Sequence, residues 1–398
     1  MPLLFGVVLL DLIGFGIVIP ILPFLSPQLG ADKLDIAYII VGYAVFSALF
    51  GPLWGRLSDQ IGRKPVIMMC LAGAAISYVM LGLANELWMV YAARVFGGIM
   101  AGNFGVASAM MADITKPEDR ARGMGLIGAA FGLGLVIGPM LGGVLAGPDG
   151  SFLLPCLVAG AMSVSAIFAA AVLLPESLTE EKREAYRAQR QQRSESMYAM
   201  LKRTRNRLFV SQYVLHSTGV GAATYLMPLW FADLLNWTAR EVGILFGVQG
   251  AIMAIVQGGL MGLLVRSVGE WRLLRWCIVF YLAGLLLAVV ASEPWMMIAS
   301  VYIAMTGATL CMPMLNTLIT HRTPAPQRGQ TMGVTGAAAS VGRVIGPLMA
   351  GWILYTLGYT AVWIALAALV FIYLLWAVAE SRRSAAQANL TRGESHVH

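Results

Sequence analysis

Charge is what this chain has least of. Only 12% of its 398 residues are Asp, Glu, Lys or Arg, about half the share of an ordinary soluble domain, and that cannot cover a water-facing surface. Histidine is rarer still, with four copies, and the four cysteines (Cys70, Cys156, Cys277, Cys311) each lie inside an apolar stretch, none at metal-ligand spacing. They read as small buried hydrophobes, with no disulfide framework and no metal centre. The chain has no GxSxG, no HExxH and no P-loop of the GxxxxGK type. Those absences remove the usual hydrolase, metalloprotease and ATP-driven pump readings. An enzyme is not expected, and no cofactor is called for.

What the chain does have is apolar length. It is 59% hydrophobic with a mean hydropathy of +0.76, and a bilayer core takes roughly 20 apolar residues as a helix. The apolar runs predict an all-α polytopic membrane protein with spans 1 to 6 at 2-25, 35-57, 66-84, 87-113, 122-147 and 151-174. Spans 7 to 12 follow at 208-234, 241-265, 272-291, 295-319, 330-355 and 359-379. Residues 1-174 form one six-helix bundle, 175-207 a polar cytoplasmic linker, 208-379 a second bundle, and 380-398 a polar tail expected to be disordered. The first apolar run is too long for a signal peptide and contains Asp11, so it reads as a retained first span.

The net charge of +7 points to membrane topology and not to nucleic acid. With Met1 on the cytoplasmic side, only Lys33 and Arg240 fall outside, Arg94 and Arg343 fall within spans, and the rest of the 27 Lys and Arg lie on the cytoplasmic side. That is the positive-inside pattern, and it places both termini in the cytoplasm.

A repeat is hidden in the glycines. Arg120, Met124 and Gly125 recur at an offset of 208 as Arg328, Met332 and Gly333, and Gly134, Gly138 and Pro139 of span 5 recur at the same offset as Gly342, Gly346 and Pro347 of span 11. Gly55 and Gly62 recur as Gly262 and Gly269. Two halves that start on the same side are parallel repeats, an arrangement that in transporters places substrate near the midplane between halves that rock about it. Glycines four apart allow close helix packing, static or sliding.

The residues that carry these patterns resemble a known family. Gly55-Arg56-Leu57-Ser58-Asp59-Gln60-Ile61-Gly62-Arg63-Lys64 resembles the loop 2-3 signature of the major facilitator superfamily. Gly125, Gly134, Gly138, Pro139, Gly142 and Gly143 resemble the span 5 antiporter motif of its twelve-helix drug:proton antiporters. Arg94-Val95-Phe96-Gly97-Gly98 is similar to the span 4 motif, and Asp11 with Gly14, Gly16, Pro20 and Pro23 to the span 1 motif. The stretch from Ala112 to Arg122 is similar to tetracycline efflux antiporters. Those carry further acids in spans 3 and 9, where this chain has no Asp or Glu, which argues against a tetracycline–metal chelate as cargo. Arg266 stands where the repeat places Asp59, so the second loop motif is degenerate.

Few ionisable groups fall within the spans, where a charge at the centre of an insertion helix costs about 2.5–3.5 kcal/mol. Asp11 is a candidate for reversible protonation or for holding a substrate cation; the alternative is a structural acid paired with an Arg. Arg94 extends a glycine face of span 4, and the resemblance implies proton coupling, a fixed ion pair being the plainer reading. Arg343 could attract an anionic substrate group or pair with a carboxylate. The resemblance also implies a latch of Asp59 against the start of span 11 and of Arg63 with Asp113. Candidate cavity residues are Asn103, Tyr225, Trp230, Gln249, Gln257 and Asn316, with Met100, Met227 and Met253 as adaptable walls. His216 reads as a packed histidine or a second titratable group.

Together these imply a secondary transporter, expected as a monomer in a bacterial inner membrane, that exchanges protons for an amphipathic drug-like solute. Export of an endogenous metabolite such as a siderophore or sugar-like compound is the alternative, and a non-transporting sensor the remote one. Its partners are a small molecule, protons and lipid.

Overall fold

Inside lipid a backbone must satisfy its own hydrogen bonds, and the helix is the local way to do so. The computed structural model describes residues 1–116, 119–147, 151–178, 204–323 and 328–394; most of the expected linker lies outside the described residues. Spans 1 to 6 are α1 (Pro2–Val18) with α2 (Leu22–Gln28), α3 (Lys33–Ile61), α4 (Arg63–Gly82), α5 (Leu87–Ile99) with α6 (Asn103–Ile114), α7 (Arg120–Leu145) and α8 (Leu153–Leu173). Span 7 is α9 (Thr204–Leu235), and span 8 is α10 (Ala239–Ile255), a π-turn (Val256–Leu260) and α11 (Met261–Val268). Spans 9 to 12 are α12 (Glu270–Val290), α13 (Pro294–Arg322), α14 (Arg328–Leu357) and α15 (Tyr359–Glu394). Among the described residues nine helices are long and apolar enough to cross a membrane, and the α1–α2 pair, bent by 44°, makes a tenth. Spans 7 and 8 complete the expected twelve.

Four expectations need correction. Span 1 is not continuous over 2-25: it bends between α1 and α2, where Pro20 and Pro23 interrupt the hydrogen-bond ladder. Span 4 breaks at 100-102. Span 8 is interrupted by the π-turn around Gly259. The tail is not disordered from residue 380: α15 runs on to Glu394. Its Ala, Arg, Gln and Leu are good helix formers whatever their polarity, and no Gly or Pro intervenes before Gly393.

The described residues of Met1–Met200 together with Thr224–Ala254 form one compact unit, and Leu201–Ala223 with Ile255–His398 the other. In the first, α1 packs along α7 and α8, and α4 along α8. Its glycines make this possible. A Cβ on Gly138 would lie 2.6 Å from the Gly16 Cα and the Ile13 carbonyl oxygen, and one on Gly134 2.8 Å from the Leu12 carbonyl carbon. In the second unit the repeat partners do the same, with Gly346 against Ala222 N at 2.7 Å and Gly342 against Thr218 N at 2.8 Å, both on α9. The sequence repeat is therefore a packing repeat, span 5 on span 1 and span 11 on span 7. Gly62 (φ 115°) and Gly269 (φ 83°), also repeat partners, both turn the chain in the left-handed region that favours glycine.

Gly138→Val is expected to destabilise by about 1–3 kcal/mol through overpacking. Gly125→Ala and Gly128→Ala, whose added Cβ would meet nothing within 4 Å, should leave thermal unfolding in detergent unchanged or slightly higher.

Candidate functional site

Asp11 stands midway along α1, with only 7% of its surface exposed, flanked by the apolar core of Val7, Val8 and Leu12 with Ile67, Val106 and Met110. Its carboxylate accepts a hydrogen bond from Nδ2 of Asn103, the first residue of α6. Tyr78 and Cys70 of α4 lie within reach of its charge. From α8, Ala159 and Ser163 approach the neighbouring Gly14, and from α7, Gly134 meets Leu12. Among the described residues no Lys or Arg forms an ion pair with Asp11. An acid held by one neutral donor can take up or release a proton without breaking a salt bridge.

Arg94, 6% exposed, is a buried cation of the same unit. Its guanidinium carbon sits 4.2 Å above the Tyr43 ring centroid, a cation–π contact. Its Nε has no hydrogen-bond partner, and no acid pairs with it among the described residues. The expected face of glycines brings α3 against it: a Cβ on Gly98 would lie 2.6 Å from the Tyr43 carbonyl oxygen. On the α4 side stands Ser77, whose hydroxyl donates to the Ala93 carbonyl at 2.8 Å. Here span 3 offers a neutral group, in keeping with its lack of acids.

Span 4 breaks right beside Asn103. The Ile99 carbonyl, which in an unbroken helix would accept from the amide four residues on, instead takes the Trp54 indole Nε1 of α3 at 2.5 Å. Gly102 leaves the room for that indole: a Cβ there would lie 2.5 Å from the Trp54 Cγ. Below the break, the Asn103 Oδ1 accepts from the Phe104 backbone N at 3.0 Å. Phe104, 43% exposed, meets Phe131 of α7 edge to face at 5.6 Å. Sequence reading missed Trp54, Phe104 and Phe131; the cluster Gly97, Gly98, Gly102 was the one signal that the helix could open there.

The far end of α6 carries Asp113, whose carboxylate takes Arg63 Nε at 3.0 Å. Arg63 also meets Asp59 at 2.7 Å and Ser58 Oγ at 2.6 Å. Both Arg63 and Asp113 are deeply buried as side chains, at 4% and 5% exposure. The backbone N–H groups of Arg63 and Lys64 donate to the two oxygens of Glu176, at 3.0 and 3.1 Å. That carboxylate caps the positive end of α4 and was not singled out from sequence. The expected approach of Asp59 to the start of span 11 concerns side chains at 328-330, outside the described residues.

About 40 Å away, at the other end of α3, a second set of contacts gathers in the same unit. Lys33 Nζ meets Asp233 at 2.5 Å, and the Tyr225 hydroxyl donates to the Lys33 carbonyl at 2.6 Å. Nearby, a Cβ on Gly143 of α7 would lie 2.9 Å from Gly243 Cα of α10, and one on Gly247 3.0 Å from the Met140 Cβ. Of the other cavity candidates in this unit, Trp230, Gln249, Met227 and Met253 are buried, Trp230 tilted against Phe231 at 5.6 Å. Met100 fills the space above Gly73.

The second unit holds the remaining candidates. Gln257 Nε2 donates to the Thr309 carbonyl at 3.5 Å, Asn316 Oδ1 accepts from the Tyr213 hydroxyl at 2.6 Å, and Arg343 is exposed, donating to Ser340 Oγ at 2.8 Å. His216 is caged by Tyr281 and Tyr373, with ring centroids 6.5 and 6.0 Å away. Among the predicted proton and cavity residues, Asp11 and Asn103 are brought into direct contact.

The sequence was compared with known proteins. The model of the Major Facilitator Superfamily matches residues 4–335 and again 211–397. The class D tetracycline resistance protein of Salmonella ordonez is 32% identical over 357 residues, 87% of each chain. The class C protein of Escherichia coli is 30% identical over 359 residues, 86% of this chain and 87% of that one. The quinolone resistance protein NorA of Staphylococcus aureus (strain COL) is 25% identical over 351 residues, with coverage of 86% and 87%. Among solved structures, the human organic anion transporter MFSD10 superposes with a TM-score of 0.71 at 23% identity, over 94% of this chain and 98% of that one. The nucleoside transporter NupG does so with a TM-score of 0.73 at 14% identity, over 95% and 98%. With a family match over nearly its whole length, helices that group into twelve spans and a repeat visible in both sequence and packing, the chain is a multi-pass transporter, not an enzyme, and belongs to the major facilitator superfamily.

Proposed function

We propose that the protein exports an amphipathic small molecule in exchange for protons, by alternating access, with both termini in the cytoplasm of a bacterial cell. The observation that carries this reading is Asp11: a carboxylate buried in a span and bonded by a neutral amide, not by a cation. The relatives named for resistance to tetracycline and to quinolones support a drug-like cargo. Span 3 carries no Asp or Glu, and span 9 carries none after Glu270 at its start, so the preferred cargo is a compound without a bound metal. Asp59, Arg63 and Asp113 serve as a latch at the cytoplasmic end, and Arg94 biases the proton site through the bundle interior. The test is a panel of toxic amphipaths against overexpressing and deletion cells, followed by transport in everted vesicles with pH gradient and potential imposed separately. Acceleration by neither gradient would remove the proton from the mechanism.

The contacts around Lys33 supply a second test. An exposed ion pair is worth about 0–1 kcal/mol, so Lys33→Ala should barely change thermal stability. A short thiol crosslinker across Lys33→Cys and Asp233→Cys, by contrast, should stop turnover and release it on cleavage, since in alternating access span 2 of the first sequence repeat and span 7 of the second part when that end opens. The four native cysteines are buried and should react slowly. Full transport in the crosslinked protein would rule out an opening at this end.

A further inference from the structure

Span 4 is two rods, and each lip of the gap between them is held by a different helix. Trp54 of α3 binds the upper lip through the Ile99 carbonyl, and Asp11 of α1 binds the lower lip through the Asn103 amide. The lower rod, α6, runs from that amide to Asp113, whose carboxylate is bound by Arg63 at 3.0 Å. Ten residues of helix separate Asn103 from Asp113, about 15 Å. One stiff element thus has the buried acid at its head and the buried guanidinium near its foot.

We infer that Asn103 is a positioning residue that passes the charge state of Asp11 down α6 to the Arg63–Asp113 pair, with Met100–Gly102 as the joint. The inference rests on Asp11 being the proton site proposed above. An ionised carboxylate is an acceptor only and draws the Asn103 N–H toward it. A protonated one is a weaker acceptor and carries a donor of its own, so the pull on the amide falls. The Asn103 amide cannot turn freely in response, because its oxygen is engaged by the Phe104 N–H. The head of α6 therefore moves with it, and with it Phe104, which meets Phe131 in the exposed aromatic pair. The joint permits that motion, since the Ile99 carbonyl is already satisfied by Trp54 and no ladder bond between the rods need break there. Other groups around Asp11 do not compete for the role. From α4, Tyr78 and Cys70 feel its charge; α7 and α8 offer glycine, alanine and serine to this face of α1; Arg94 of α5 makes no ion pair with it.

The test places a reporter at the foot of α6. Ile114 is exposed there, and the Ile114→Cys protein in proteoliposomes is labelled with a water-soluble maleimide at pH values between 5.5 and 8.5, normalised to a small-molecule thiol control. In the otherwise native chain the normalised rate should change severalfold across this range. Asp11→Asn and Asn103→Ala should each flatten that profile, and Asn103→Ala should lower pH-driven turnover. If Asn103→Ala fails to reach the membrane, Asn103→Thr takes its place, keeping a polar helix start while withdrawing the amide from Asp11. A flat profile with Asp11→Asn but a native one with the Asn103 variants would overturn the inference and leave Asp11 as the proton site. A native profile with Asp11→Asn would mean that the proton reading itself is wrong.

Discussion

Replacing Asp11 by Asn is expected to reduce pH-gradient-driven efflux in vesicles to that of vesicles without the protein, while solute counterflow persists. Asn has the same shape and keeps an acceptor oxygen for Asn103, but it cannot exchange a proton. A change confined to the driven reaction therefore isolates the proton from the packing. Each pH unit of gradient supplies about 1.4 kcal/mol per proton, and each 100 mV about 2.3 kcal/mol per charge. A wild-type protein that concentrates solute in response to these forces, beside an Asp11→Asn protein that only equilibrates it, would place the coupling at this residue. Asp11→Glu, which keeps the acid one methylene further out, should retain slower driven transport. Thermal stability should not fall in Asp11→Asn, because no ion pair with Asp11 exists among the described residues to be lost.

The second large effect is expected at Arg63. Removing one member of a buried ion pair leaves the other charge uncompensated, at a cost of about 3–5 kcal/mol, and Asp113 has only 5% of its side chain exposed. Arg63→Ala should therefore lower the unfolding temperature clearly and nearly abolish transport. Arg63→Lys should recover only part of both, since an ammonium cannot serve Asp59, Asp113 and Ser58 together as the forked guanidinium does. Adding Asp113→Asn to Arg63→Ala should restore much of the stability, by removing the stranded charge, without restoring transport. Recovery of stability and transport together would make the pair a structural brace and not part of a latch. Thermal unfolding in detergent and driven uptake in proteoliposomes separate the two.

Much of this architecture could be read in the amino-acid order because it follows from local chemistry. Apolar length fixed the spans, and glycine spacing announced which helices would touch: Gly134 and Gly138 of α7 pack against α1, and their counterparts Gly342 and Gly346 of α14 against α9. The Arg63–Asp113 contact was expected from family resemblance, not from spacing, and the two side chains do meet. Lys33, an exception to the charge bias of the loops, has its partner in Asp233. What escaped the sequence depends on partners far along the chain. The residues 100-102 are compatible with an unbroken helix, and the gap there is sustained by Trp54 and Asp11, 45 and 92 positions away from the atoms they bind. Glu176 falls within the expected linker 175-207, yet its carboxylate meets the start of α4. Polarity predicts a disordered tail after span 12, whereas α15 follows helix propensity and extends to Glu394.

Proton release on ligand binding tests the coupling most directly. Purified protein in weakly buffered detergent, mixed with a compound that it transports, is followed with a pH indicator, and the trace is compared with that of Asp11→Asn. Loss of H⁺ to solution from the wild type, in proportion to protein and absent from Asp11→Asn, is the expected result. Equal release from both proteins, or none from a wild type that visibly binds the compound, would contradict a mechanism in which solute and proton compete through this carboxylate.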